Sequence, residues 1–170
     1  MKFTWQHIAI IVVALALVGT IGWFMMGEGG GDGPKSLWFY DLNSGELFVG
    51  PVASLPPIEA PSGDLKGAAA GTPAGVLASV ISIEGDSEKK VAFLQAYTPD
   101  AKQLIEASRN AQGGAPADYD KIMKGTLVAL PPAKPGDAIT WVPMSSPDGY
   151  KITRAMETLA GGKPYSASLP

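Results

Sequence analysis

Cysteine is absent from all 170 residues, and histidine occurs once, at position 7. The first absence excludes a disulfide staple, a thiol nucleophile and a thiolate metal site. The second leaves everything after His7 without an imidazole, which excludes histidine triads, imidazole metal sites and histidine-ligated haem there. A basic surplus is also missing. Lys2 and Lys35 precede Ser36, as do Glu28 and Asp32, which leaves 11 basic against 14 acidic residues in 36–170. Neither a basic groove nor a basic tail is present, so nucleic acid is not an expected partner.

Charge is missing altogether from one long stretch. Ile8 to Met26 is a run of nineteen residues in which Thr20 is the only strongly polar member. As a helix rising ~1.5 Å per residue it is about 28 Å long, against a hydrocarbon core of roughly 30 Å. Trp5 and Trp23 sit at its two ends, where indole rings favour the headgroup level. The lipid bilayer is therefore the first expected partner, with Trp5 and Trp23 as anchor residues. A cleavable signal peptide needs a shorter apolar core and small residues before its cleavage site. Here Trp23, Phe24, Met25 and Met26 fill that stretch, and Ala14-Leu15-Ala16 lies inside the core. An uncleaved signal anchor is expected. Lys2 and the terminal amine flank one side, while Glu28 and Asp32 are the first charges on the other. This asymmetry puts residues 1–7 in the cytoplasm and everything after Gly27 outside. A type IV pilin is not the expected reading, because no Gly-Phe processing site precedes the run.

Gly27, Gly29, Gly30, Gly31, Gly33 and Pro34 end helical structure at once and make 27–35 a glycine-rich tether. Residues 36–170 then have the length of one domain with its own core. Leu37 to Val49 reads as a β-hairpin turning at Asn43-Ser44-Gly45. Pro51 to Pro73 reads as an extended, proline-rich wrap and a loose loop. Val76–Ile83 is a strand. Lys89–Tyr97 is a strand more than a helix, with Val91, Phe93 and Tyr97 on one face. Thr98-Pro99-Asp100 starts a helix that runs to about Ala111 and stops at Gly113-Gly114. Thr126–Leu130 and Ile139–Val142 read as strands. Ser146-Pro147-Asp148 starts a second helix carrying Ile152, Ala155, Met156 and Leu159 on one face and ending at Gly161-Gly162. The expected fold class is α+β, a small antiparallel sheet with two helices behind one transmembrane helix.

No constellation names a reaction. Asp41 to Glu46 faintly resembles a calcium loop, but its glycine comes fifth and position twelve is Val52. Ser87-Glu88-Lys89-Lys90 has the Ser-x-x-Lys spacing of penicillin-recognising enzymes without their other two elements. Asp118 with Asp120, and Glu84 with Asp86, are close enough for glycosidase-like carboxylate chemistry, yet lie in expected turns. No catalytic residue, metal site or cofactor is assigned. The binding candidates are Trp38, Phe39, Tyr40 and Phe48, aromatics gathered on one hairpin, although a hairpin this apolar also suits a core.

Trp38-Phe39-Tyr40 with Gly50-Pro51 resembles a GYF-type adaptor, a module for proline-rich ligands. The spacing is stretched, and Leu55-Pro56-Pro57-Ile58 stands where that family has a helix. The segments Trp38 to Phe48, Pro56-Pro57-Ile58, Trp141-Val142-Pro143 and Ser146-Pro147-Asp148-Gly149 are similar to a group of short bacterial proteins held by one N-terminal helix. That resemblance implies an envelope location and one folded domain, and it carries no catalytic residues. The expected function is a non-enzymatic, membrane-anchored envelope protein acting through contacts with a protein partner, as an accessory subunit of a membrane complex. An anchored hydrolase using carboxylate or Ser/Lys chemistry, or a ligand-binding sensor domain, is the alternative.

Overall fold

The computed structural model describes residues 34–66, 71–110 and 118–170. The apolar run 8–26, Trp5, Trp23, most of the tether and the Gly113-Gly114 stop lie outside them. Among the described residues no helix is long and apolar enough to cross a membrane.

The strands are β1 (Ser36–Asp41), β2 (Leu47–Pro51), β3 (Gly75–Ile83), β4 (Lys90–Tyr97), β5 (Thr126–Ala129), β6 (Val142–Pro143) and β7 (Tyr165–Ala167). They form one antiparallel sheet in the order β2-β1-β3-β4-β5-β6. β3 is long enough to serve two neighbours. Its first half pairs with β1 and its second half, Ile81–Ile83, with β7. The helices are α1 (Pro99–Asn110), α2 (Tyr119–Gly125), α3 (Pro147–Thr153) and α4 (Ala155–Ala160). The α+β class and the antiparallel sheet agree with the sequence, while the described residues hold four helices where two are expected for the domain.

The hairpin forms where Asn43-Ser44-Gly45 places it. Gly45 adopts φ +78°, a left-handed conformation that a side chain resists. Its N–H donates to the Asp41 carbonyl at 2.7 Å while Asp41 N–H donates to the Glu46 carbonyl at 2.9 Å. This is a glycine bulge closing a short loop. A Cβ at Gly45 would also sit 2.7 Å from Pro135 Cγ, because the loop after β5 folds back onto the turn. Gly136 N–H seals that contact on the Leu42 carbonyl at 3.0 Å. At the far end Val52 N–H reaches the Lys35 carbonyl, so the β1–β2 ladder takes in the last residue of the expected tether.

Lys90–Tyr97 is a strand, as its β-branched and aromatic residues favour. Its expected face is corrected by a bulge. Ser79 pairs with Phe93 but Val80 pairs with Val91, which leaves Ala92 extra. An extra residue reverses the alternation beyond it. Val91 consequently packs with Val80, Leu94 and Ala96 on one face, and Phe93 packs with Val128 on the other.

Both faces of the sheet are covered. On one, Phe93 and Val128 meet Val142, Met144, Ile152 and Met156 from the α3–α4 side. On the other, Tyr40, Val76, Ala78, Leu94 and Ala96 meet Ala60, Leu65 and Ala74 of the wrap, with Ile139 and Trp141 of the β5–β6 loop. The described residues of the wrap are more ordered than a loose loop. It makes bridges Ile58–Gly75, Ala60–Gly63 and Asp64–Pro73.

The expected strand Ile139–Val142 shrinks to Val142–Pro143, because Ile139 and Trp141 turn into the core as loop residues. The expected second helix is two segments, broken at Arg154 with φ −83° and ψ 0°. Ile152 and Met156 do face the core, but Leu159 is 39% exposed beyond the break. The helix ends as expected at Gly161, with φ +59°. Thr98 Oγ caps α1 by accepting from Ala101 N–H at 3.3 Å. Helix α2 and strand β7 were not anticipated.

Candidate interaction surface

The four hairpin aromatics separate. Phe39 is fully buried and Tyr40 nearly so. Adjacent strand residues point to opposite sides, so with both faces covered each reaches a core. Phe39 stacks on Phe48 with ring centroids 5.7 Å apart and planes tilted by 30°. Trp38 and Phe48 are half-buried, each packed against the cluster that contains Tyr40, Ala60 and Ala74. Lys89 Nζ lies 4.6 Å above the Trp38 ring, a cation–π contact, while Trp38 Nε1 is shut from solvent with no acceptor among the described residues. The aromatics are therefore brought together chiefly as packing. The large apolar side chain that this hairpin does expose is Val49, at 53%.

The acidic loop Asp41 to Glu46 is built inward. Asp41 is 2% exposed, and its carboxylate accepts from Asn43 N–H (2.9 Å), Ser44 N–H (3.4 Å), Ser62 N–H (3.1 Å) and the Ser62 hydroxyl (2.6 Å). Asn43 extends the clasp by donating to Ser62 Oγ and the Asp64 carbonyl, both at 2.9 Å. These oxygens are occupied in pinning the wrap to the hairpin turn. Burial pushes the Asp41 carboxyl up. The Ser62 hydroxyl and the three backbone N–H groups outweigh it and hold the group below the usual carboxylate range. A depressed folded value contributes stability above the unfolded value of about 3.9, and that stability is lost as pH falls through the folded value. Chemical denaturation of the full chain at pH 6 and at pH 3 is expected to show an acid loss that Asp41→Asn reduces. At pH 6 the same variant should itself cost about 1–3 kcal/mol, since the Ser62 N–H then faces an amide donor. An unchanged acid slope in Asp41→Asn defeats this assignment.

One member of each candidate carboxylate pair, Asp118 and Asp86, is tied up locally. Asp118 caps α2, accepting from Lys121 N–H at 3.2 Å and Lys121 Nζ at 2.8 Å. Asp86 pairs with Lys90 at 2.9 Å. In the Ser-x-x-Lys segment, Lys90 thus turns to Asp86 and Lys89 to Trp38. Near the start of α1, Lys102 Nζ donates to the Pro57 carbonyl at 3.0 Å, and in its last turn Arg109 donates to the Ala53 carbonyl at 2.8 Å. Both cations fasten the helix to the wrap.

One open groove of about 470 Å³ runs between the β5–β6 loop and α3. Leu130, Pro131, Pro132, Ile139, Val142 and Ile152 make it apolar, with Thr140 and Asp148 as its polar groups. Asp148 is already paired with Lys151 at 2.8 Å. The groove offers apolar contact and little directed chemistry.

The outer edge of β2 is the other open feature. The Asp41–Glu46 and Lys35–Val52 bonds fix the ladder phase, so Phe48 and Gly50 bond inward to β1. Leu47 and Val49 then turn N–H and C=O outward, while the Pro51 carbonyl accepts from Ser54 N–H at 3.0 Å. Among the described residues β2 pairs with β1 alone. Composition did not flag this edge, because its chemistry belongs to the backbone. No family model, curated protein or solved structure matches the chain.

Proposed function

We propose that this chain is a single-pass protein of a bacterial cytoplasmic membrane, with its N-terminus inside, that displays residues 36–170 outside as a non-enzymatic contact domain. It serves as an accessory subunit of a larger membrane assembly. The observation that carries the reading is the uncharged run Ile8–Met26, of membrane-spanning length and ended at once by glycines. The geometry of the domain supports it. Asp41, Asp86 and Asp118 are spent on a clasp, an ion pair and a cap. Exposed features among the described residues include an apolar groove and the outer edge of β2 at Leu47 and Val49.

Single cysteines in the otherwise cysteine-free full chain test this directly. Membrane vesicles of known sidedness should resist carbonate extraction of the protein. An impermeant maleimide added from outside should label Glu88→Cys and spare Lys2→Cys. In mild detergent the intact chain should migrate with a partner. Release by carbonate, or migration as a lone chain, overturns the proposal.

A further inference from the structure

We propose that the Met156 thioether is an oxidation site, and that its conversion to the sulfoxide by a peroxide-class oxidant releases the C-terminal segment 155–168 from the sheet. The chain has no cysteine, so no thiol of its own competes for such an oxidant, and methionine supplies all of its sulfur. Met123, Met144 and Met156 fall among the described residues, and all three are half-buried. One contact sets Met156 apart. The Ser79 hydroxyl, itself half-buried, donates to the Met156 sulfur at 3.8 Å, and no hydroxyl does so to Met123 or Met144 among the described residues.

The placement follows from the bulge in β4. Ser79 faces Phe93 at the last regular pair before the extra residue Ala92, and α4 brings Met156 onto this part of the sheet. The thioether therefore meets the apolar cluster of Ala92, Phe93 and Val128 as well as a hydroxyl. Sulfur is a weak acceptor, which leaves the Ser79 donor poorly used. A peroxide entering beside it accepts from the Ser79 hydroxyl through one oxygen while the sulfur attacks the other. The O–O bond breaks, sulfur gives up two electrons and gains an S–O bond, and the second peroxide oxygen leaves with both protons as water. The product is polar where the thioether was apolar, and a polar group disrupts apolar packing.

Little else holds the segment. Met156 is the α4 side chain packed on that cluster, Ala160 is buried, and Leu159 is 39% exposed. Beyond Gly161 and Gly162, β7 has no buried side chain and is kept by its backbone pairing with β3. Glu84 N–H on the Pro164 carbonyl at 2.9 Å and Ser168 N–H on the Val80 carbonyl at 2.8 Å flank that pairing. Elements with few buried apolar contacts open locally at low free energy. Loss of the Met156 contact thus frees α4 and β7 and uncovers β3 at Ile81–Ile83, while β4 stays paired between β3 and β5. Nothing in this latch depends on where the domain is displayed.

The full chain in mild detergent is treated with dilute hydrogen peroxide, and the sulfoxide of each methionine is followed by mass spectrometry. Met156 is expected to convert about threefold or more faster than Met144. Ser79→Ala should bring it down to the Met144 rate, and Ser79→Thr, which keeps the hydroxyl, should leave it fast. In the same samples hydrogen exchange over 155–168 should rise on the order of tenfold as Met156 oxidises, with 91–96 still protected. Methionine sulfoxide reductase with a thiol reductant should reverse the rise. Met156→Leu, which keeps an apolar contact without an oxidisable sulfur, should show none. Equal rates for Met156 and Met144, or an unchanged rate in Ser79→Ala, overturn the site. Exchange that stays flat at complete Met156 oxidation, or that rises equally over 91–96, overturns the latch.

Discussion

Phe39→Ala in the full chain should lower the unfolding free energy of the domain by about 3–5 kcal/mol. Phe39 is fully buried, lies against Phe48, and fills the space where Gly50 has no side chain: a Cβ there would be 2.7 Å from its ring. Truncation leaves a cavity between β1 and β2 that the strand pair has little freedom to close. The melting temperature of a domain this size should fall by about 10 °C or more. A solvent-facing contact residue would instead change stability by about 0.5 kcal/mol or less. Urea unfolding discriminates the two, provided the m-value holds. A loss under about 1 kcal/mol removes Phe39 from the core.

Gly149→Ala is the second large effect, at about 3 kcal/mol. Ordinarily alanine in a helix gains close to ~1 kcal/mol over glycine. At this position a Cβ would lie 2.2 Å from the Pro143 carbonyl oxygen and 2.8 Å from Met144 Cα. Both obstacles are backbone, held in turn by β6 and by Met144 N–H on the Thr126 carbonyl at 2.8 Å. Helix α3 must therefore retreat from the sheet, loosening Ile152 and Met156 from Phe93. Asp148→Ala, one residue earlier on the exposed side, should cost under about 1 kcal/mol, losing only its surface pair with Lys151. Thermal unfolding of the two variants side by side checks the contrast. A Gly149→Ala chain as stable as Asp148→Ala shows that α3 is not wedged against β6.

The parts of the fold legible in the sequence are those written in local chemistry. Asn43-Ser44-Gly45 announced its turn because only glycine takes the left-handed position cheaply. Thr98 and Ser146 announced helices because their hydroxyls accept backbone N–H groups, and Ser146 does so from Gly149 at 3.0 Å. The bulge at Ala92 has no such marker, since nothing in Val91-Ala92-Phe93 distinguishes a bulged strand from a regular one. Helix α2 escaped notice because seven residues are too few to show a stripe, although Asp118 is a good cap. Strand β7 is exposed throughout and exists by pairing with β3, a long-range contact with no local signature. The hairpin aromatics stayed open between core and surface for a related reason. Whether Phe39 or Tyr40 meets water depends on what covers each face of the sheet, and those covers come from residues far away in sequence.

The place of β1 in the sheet has a mechanical consequence. β1 is the first strand after Pro34, yet it lies inside the sheet, between β2 and β3. A pull transmitted from the N-terminal side along β1 meets two hydrogen-bonded ladders at once. They must slide together, whereas an edge strand opens one bond at a time. Entry through an interior strand makes this domain suited to resisting force applied at its N-terminal end.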